Sequence, residues 1–155
     1  MRKRIALVLA AAVVISGLAL WATMGSAGAI GAPQTFTVTE KDTQFHYVDN
    51  APTHTASVGD MLALSGVLLR GGSNVGTTDV ACTRTHADPA RFECLATFTF
   101  KNAGEIEVQT SFTPSQHTFN AGITGGTGSY RNARGFVEID QGMGNRSTDT
   151  FHLLP

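Results

Sequence analysis

The residues able to do chemistry are few and scattered. Five histidines (His46, His54, His86, His117, His152) show neither His-x-His nor His-x3-His spacing, and no carboxylates cluster beside them. No metal site is therefore expected. A Gly-x-Ser-x-Gly elbow, which would present a serine nucleophile, is absent. The densest glycine segment, Gly125-Gly-Thr-Gly-Ser-Tyr-Arg-Asn-Ala-Arg-Gly135, invites a phosphate-loop reading. Arg131, however, stands where the third glycine of a dinucleotide fingerprint belongs, and no Lys-Ser/Thr follows at Walker spacing. Glycines between two strands mark a tight turn or a close backbone approach. A structural turn is expected, and no cofactor motif remains.

The two cysteines carry more information. His86-Ala-Asp-Pro-Ala90 is turn chemistry, and folding the chain about Asp88 pairs 84 with 92 and sets Cys82 opposite Cys94. Directly opposed strand residues lie about 4.5 to 5.5 Å apart at Cα, within the span of a disulfide. Closing so short a loop contributes about 2 to 3 kcal/mol on the chain-entropy model. The rival reading, a reactive thiol, requires one of the two to be free.

An oxidising compartment decides between them, and the N-terminus points to one. Arg2, Lys3 and Arg4 precede an apolar run from Ile5 to Ala22, and Ala27-Gly28-Ala29 supplies the small-x-small pattern of a cleavage site. Residues 1–29 are expected to be a signal peptide cut after Ala29, with residues 30–155 as one exported domain. The alternative is a retained anchor, in which case the membrane connection runs through 1–29 alone. The whole chain has 155 residues, 15% charged, with a formal net charge of −1. Without the N-terminal basic triplet the body holds 8 Lys+Arg against 12 Asp+Glu, a mildly acidic balance that excludes a nucleic-acid binder as the first reading.

The elements that must position these residues read as strands. After residue 33 no window sustains a 3.6-residue apolar period, while period-2 alternation recurs between Gly, Asn and Pro punctuation. Strands are predicted near 34–40, 60–70, 75–85, 91–100, 105–112, 117–124, 133–140 and 147–154. The fold class is all-β, a sandwich or closed barrel. Asn102-Ala103-Gly104 fits a three-residue hairpin loop that makes Lys101 face Glu105. The even residues Phe92, Cys94, Ala96, Phe98, Phe100, Ile106, Val108, Thr110 and Phe112 then share a dry face, with Glu93, Thr97, Thr99, Glu107 and Gln109 on the wet one. An eight-stranded closure leaves an interior filled by side chains or wide enough for one small ligand. Candidate lining residues are Phe92, Phe98, Ile106, Val108 and Phe112, with Arg84 and Thr110 supplying polarity.

Gly122-Ile-Thr-Gly-Gly-Thr-Gly-Ser-Tyr-Arg-Asn-Ala-Arg-Gly-Phe-Val137 closely resembles the segment joining two late strands in allene oxide cyclases and dirigent proteins. Asp79-Val-Ala-Cys-Thr-Arg-Thr-His86 and Arg91-Phe-Glu-Cys-Leu-Ala-Thr-Phe-Thr-Phe100 are similar to the cyclases' central hairpin, and Gly104-Glu-Ile-Glu-Val-Gln109 to the strand after it. The resemblance spans about residues 58–140. It implies an eight-stranded antiparallel barrel, trimeric or dimeric, whose apolar cavity holds a small molecule and steers its cyclisation or coupling by restricting conformation, with no cofactor. Aligned through Val38-Thr-Glu-Lys-Asp42, the Glu and Asn of the cyclases' first strand fall on Thr37 and Thr39. That loss of a carboxylate argues against allene oxide cyclase activity itself. The expected function is therefore an exported barrel that binds a small apolar molecule. Two alternatives stand beside it: a non-catalytic secreted module with a packed core, and a polyketide-tailoring cyclase, with which export sits poorly.

Overall fold

The computed structural model describes residues 32–50 and 55–155. The expected signal segment, residues 1–29, lies outside the described residues. Eight strands run in chain order: β1 (Gln34–Val48), β2 (Met61–Arg70), β3 (Ser73–His86), β4 (Arg91–Phe100), β5 (Gly104–Phe112), β6 (Thr118–Gly126), β7 (Gly135–Gln141) and β8 (Arg146–Leu153). Each pairs antiparallel with the next, and β8 returns to β1 to close a barrel. Closure removes most of the free sheet edge that an open all-β sheet would leave. Among the described residues no helix is long and apolar enough to cross a membrane.

The β3–β4 hairpin has the register that its turn chemistry predicts, with Arg84 opposite Phe92 and Cys82 opposite Cys94. The two sulfurs form a disulfide, with Cα atoms 4.0 Å apart. The β4–β5 hairpin corrects the sequence expectation by two residues: Glu105 faces Thr99, and Lys101 reaches instead to the carbonyl of Asn74 at 2.9 Å. The loop closes one residue earlier, from Phe100 to Gly104, because Asn102 takes the left-handed position (φ 59°). Gly104 has another task. At φ 115° it meets the Thr127 carbonyl so closely that a Cβ would lie 2.3 Å from that oxygen. A shift of two residues preserves the faces, so Phe92, Cys94, Phe98, Phe100, Ile106 and Val108 are all buried.

The largest departure is β1, which continues from residue 40 to Val48. An irregularity between Asp42 and Gln44 resets its alternation. Beyond Lys41 the strand no longer pairs with β8 and runs on with β2 alone.

The glycine segment is the structural turn expected of it. It leads β6 through a single 3-10 turn, Gly128–Tyr130, into β7, and it sets Tyr130 against one end of the barrel. There the Tyr130 ring lies 5.3 Å from Phe100 and 6.3 Å from Phe36. Phe36 stacks on Phe151 at 4.7 Å, Phe98 and Phe100 meet Phe151 edge-on, and the Arg70 guanidinium caps Phe36 at 4.8 Å. This end of the interior is solid.

Candidate functional site

The other end is not. A cavity of about 300 Å³ occupies the half of the barrel where β3 ends and β4 begins. Its walls include Leu62, Leu64, Val80, Ala96, Phe98, Val108, Phe112, Phe119 and Ile139, together with the Cys82–Cys94 disulfide. Phe112 stacks on Phe119 at 4.8 Å. Phe45, 65% exposed, Gly142 and Gly144 of the β7–β8 turn, and Arg146 at the start of β8 lie at its mouth.

The structure brings four of the sequence-predicted lining residues to this cavity: Phe98, Val108, Thr110 and Phe112. The other three lie elsewhere. Ile106 is fully buried in the solid half. Phe92 packs beside the disulfide and stacks on Phe112 at 5.9 Å without lining the cavity. Arg84 braces the β3–β4 turn, donating to the carbonyls of Ala87 (2.6 Å) and His86 (3.3 Å). Thr110 spends its hydroxyl on the Asn120 carbonyl at 2.8 Å.

Polarity comes instead from carboxylates. Inward positions on β1 are Phe36, Val38 and Glu40; on β8 they are Ser147, Asp149 and Phe151. The register sets Glu40 opposite Ser147 and Val38 opposite Asp149, so Glu40 and Asp149 are diagonal neighbours across the seam that closes the barrel. Both are buried, 7% and 1% exposed, and the two carboxyls are close enough to influence each other's ionisation. Ser147 Oγ donates to Asp149 Oδ1 at 2.8 Å. Glu40 lines the cavity, as do Ser147 and Asp42, and Asp149 stands behind them. On the other side Gly66 makes room for the Glu40 carboxyl: a Cβ there would lie 2.9 Å from Glu40 Oε1 and 3.1 Å from the Lys41 carbonyl. Three buried polar atoms in this belt, Glu40 Oε1, Asp149 Oδ2 and Thr78 Oγ1, have no hydrogen-bond partner in the protein.

Burial and the neighbouring Asp149 and Asp42 push the Glu40 carboxyl up to about 8. Burial likewise raises Asp149 to about 6, against the hydrogen bond from Ser147. Both shifts run upward, so the pair resists carrying two negative charges at once. The resemblance aligns the cyclases' first-strand polar pair with Thr37 and Thr39, and neither of these lines the cavity. Thr37 is exposed and shares a hydrogen bond with Thr150 on the outer face. Glu40 brings to the wall the carboxylate that the alignment had removed. The period-2 run Phe36-x-Val38-x-Glu40 contains the signal that finds it.

Outside the cavity, Asp60 is fully buried near the mouth. It accepts hydrogen bonds from Tyr47 Oη (2.7 Å), from the Ser57 amide (2.6 Å) and hydroxyl (2.9 Å), and from the Asn50 amide (3.1 Å). These donors, Tyr47 first, hold its carboxyl below the ordinary range. With every lone pair engaged, it ties the β1–β2 connection down.

The profile of the Allene oxide cyclase barrel like domain matches residues 32–151. The chain belongs to this family. Among solved structures, this allene oxide cyclase-like barrel is similar to a pyocyanin demethylase at 29% identity and TM-score 0.70, over 77% of this chain and 99% of that one. A pterocarpan synthase dirigent protein shares the fold at 15% identity and TM-score 0.64, over 87% and 96% of the two chains. So does a nonspecific heme-binding cyclase that catalyses a [4 + 2] cycloaddition during neoabyssomicin biosynthesis, at 14% identity and TM-score 0.64, over 79% and 65%. No curated protein matches the chain.

Proposed function

We propose that this chain is an exported allene oxide cyclase-like barrel that binds one compact, largely apolar molecule in its open half and steers that molecule's cyclisation, coupling or rearrangement by confinement. The cavity carries the reading. Its volume suits a ligand of modest size, its walls are aliphatic and aromatic, and a carboxyl pair able to hold or release a proton near neutral pH stands on one side. Holding a flexible guest in one folded conformation lowers the entropic part of a ring-closing or coupling barrier. Glu40 adds a positioned proton or negative charge where charge develops on the guest. Relatives of this fold are named for a demethylase, a dirigent protein and a cyclase, which supports a small-molecule role without specifying the guest. Export, with cleavage after Ala29, is supported by the N-terminal pattern and by a disulfide that suits an oxidising compartment.

The test is binding of a neutral apolar fluorophore, N-phenyl-1-naphthylamine, to the mature domain. Wild-type protein is expected to bind it at one site per barrel with enhanced emission. Val108→Trp, which fills the cavity from β5, is expected to abolish binding while the far-UV spectrum stays that of the folded barrel. Absence of binding in the wild type, or binding that Val108→Trp leaves unchanged, would establish the packed, non-catalytic module instead.

A further inference from the structure

We infer that the guest of this cavity is an organic cation: a compact aromatic or aliphatic molecule bearing one positive charge, with that charge held at Glu40 and Ser147 and its faces against Phe98, Phe112 and Phe119. This deepens the proposed function and rests on its reading of the cavity. The first observation is the sign and burial of the charge. Glu40, more than nine-tenths buried, lines the cavity; its Oε1, set against Gly66, and Asp149 Oδ2 behind it are both buried without a hydrogen-bond partner. Once either carboxyl ionises, a negative charge stands out of water beside the cavity. A buried charge of that kind is costly unless an opposite charge meets it.

The second observation is that the protein supplies no such partner. Around Glu40, β1 adds only Asp42, a further carboxylate at the cavity wall. On β2 its neighbours are Gly66 and Leu68, neither titratable. β8 presents Ser147 and Asp149, with Arg146 exposed at the rim. Among the described residues no cationic side chain pairs with Glu40 or Asp149. The third is the nature of the walls. Aromatic rings line the same space, and their faces attract a cation, most strongly where water is excluded. An anionic guest would meet three carboxylates, and a neutral hydrocarbon would leave the buried charge uncompensated.

The experiment compares two probes of the same shape, permanently charged N-methylquinolinium and neutral 1-methylnaphthalene, as competitors of N-phenyl-1-naphthylamine on the wild-type domain between pH 5 and 9. The quaternary probe does not titrate, so any pH dependence belongs to the protein. The expected result is that N-methylquinolinium binds at least tenfold more tightly than 1-methylnaphthalene at pH 8. Its affinity should rise with pH as Asp149 and then Glu40 ionise, while that of the neutral probe stays flat. Glu40→Gln is expected to remove the rise above pH 7, and Glu40→Gln combined with Asp149→Asn to remove the advantage altogether. If the double variant does not fold, the single variant and the wild-type pH profile decide. Equal affinities, a preference for 1-methylnaphthalene or a flat profile for the cation would overturn the inference and leave the cavity reading standing. Failure of N-phenyl-1-naphthylamine itself to bind would overturn the cavity reading.

Discussion

The two halves of the barrel interior are built from the same alternating strands and end in opposite states. In one, Phe36, Phe98, Phe100, Phe151 and Tyr130 interlock around ring contacts of about 5 to 6 Å and leave no room. In the other, leucines, a disulfide and more widely placed phenylalanines surround about 300 Å³ of space, and two carboxyls stand at the boundary. Strand number sets the diameter of the cylinder in both halves. What differs is the plug: the glycine-rich turn returns Tyr130 over one end, and nothing comparable covers the other among the described residues. The solid half holds the cylinder in shape, and the open half is where function can be placed.

Truncation should separate the halves most sharply. Phe151→Ala, in the solid half, is expected to cost about 3 to 5 kcal/mol, whereas Phe119→Ala, beside existing space, should cost about 1 kcal/mol. Urea unfolding of both variants checks this, and similar losses would dissolve the distinction.

The boundary carboxyls come next. Their folded values lie above their ordinary ones, so the fold favours the uncharged forms. The contribution is complete below about pH 4 and is lost as pH climbs through about 6 for Asp149 and about 8 for Glu40. Wild-type stability should therefore fall by on the order of 3 kcal/mol between pH 5 and 9, and Glu40→Gln should flatten the decline. Asp60 acts in the opposite sense and loses its contribution only in stronger acid. A wild-type stability that rises over the same interval would contradict the raised values.

The disulfide in the wall of the open half should be worth about 2 to 3 kcal/mol, read as the urea stability lost on replacing Cys82 and Cys94 by Ser. Thiol labelling of the mature protein without reductant should be negative at both positions. Smallest of all, Leu95→Ser on the outer face, at a residue 60% exposed, should change stability by no more than about 0.5 kcal/mol. A larger loss would mean that this face is covered in an oligomer.

Legibility in the sequence followed the range of the interactions. The β3–β4 hairpin was readable because its turn chemistry fixes a register that the disulfide then shares, and the buried face of β4 and β5 followed from parity alone. Lys101 falls in the loop because Asn102 takes a positive φ as well as Gly104, which closes the hairpin from Phe100 to Gly104. The second half of β1 was missed because the irregularity after Asp42 breaks the alternation from which strands are read. Glu40 and Asp149 could not be paired from local pattern, since their adjacency exists only when the last strand meets the first. The resemblance points to Thr37 and Thr39, which do not line the cavity, and not to Glu40, which does.

The closed sheet is not equally strong all round. β2 and β3 share ten registered pairs, and β5 and β6 only four, Ile106–Gly126 through Gln109–Gly122, with a shift in their midst. Toward the mouth those two strands are joined by the Thr110 hydroxyl and the Phe112–Phe119 stack rather than by further ladder. Mechanically the barrel is a stave-built cask with one loosely hooped joint, and that joint runs beside the cavity. A wall held by so few ladder bonds yields there first, so the shape that meets a guest inside the mouth is fixed least firmly along that joint.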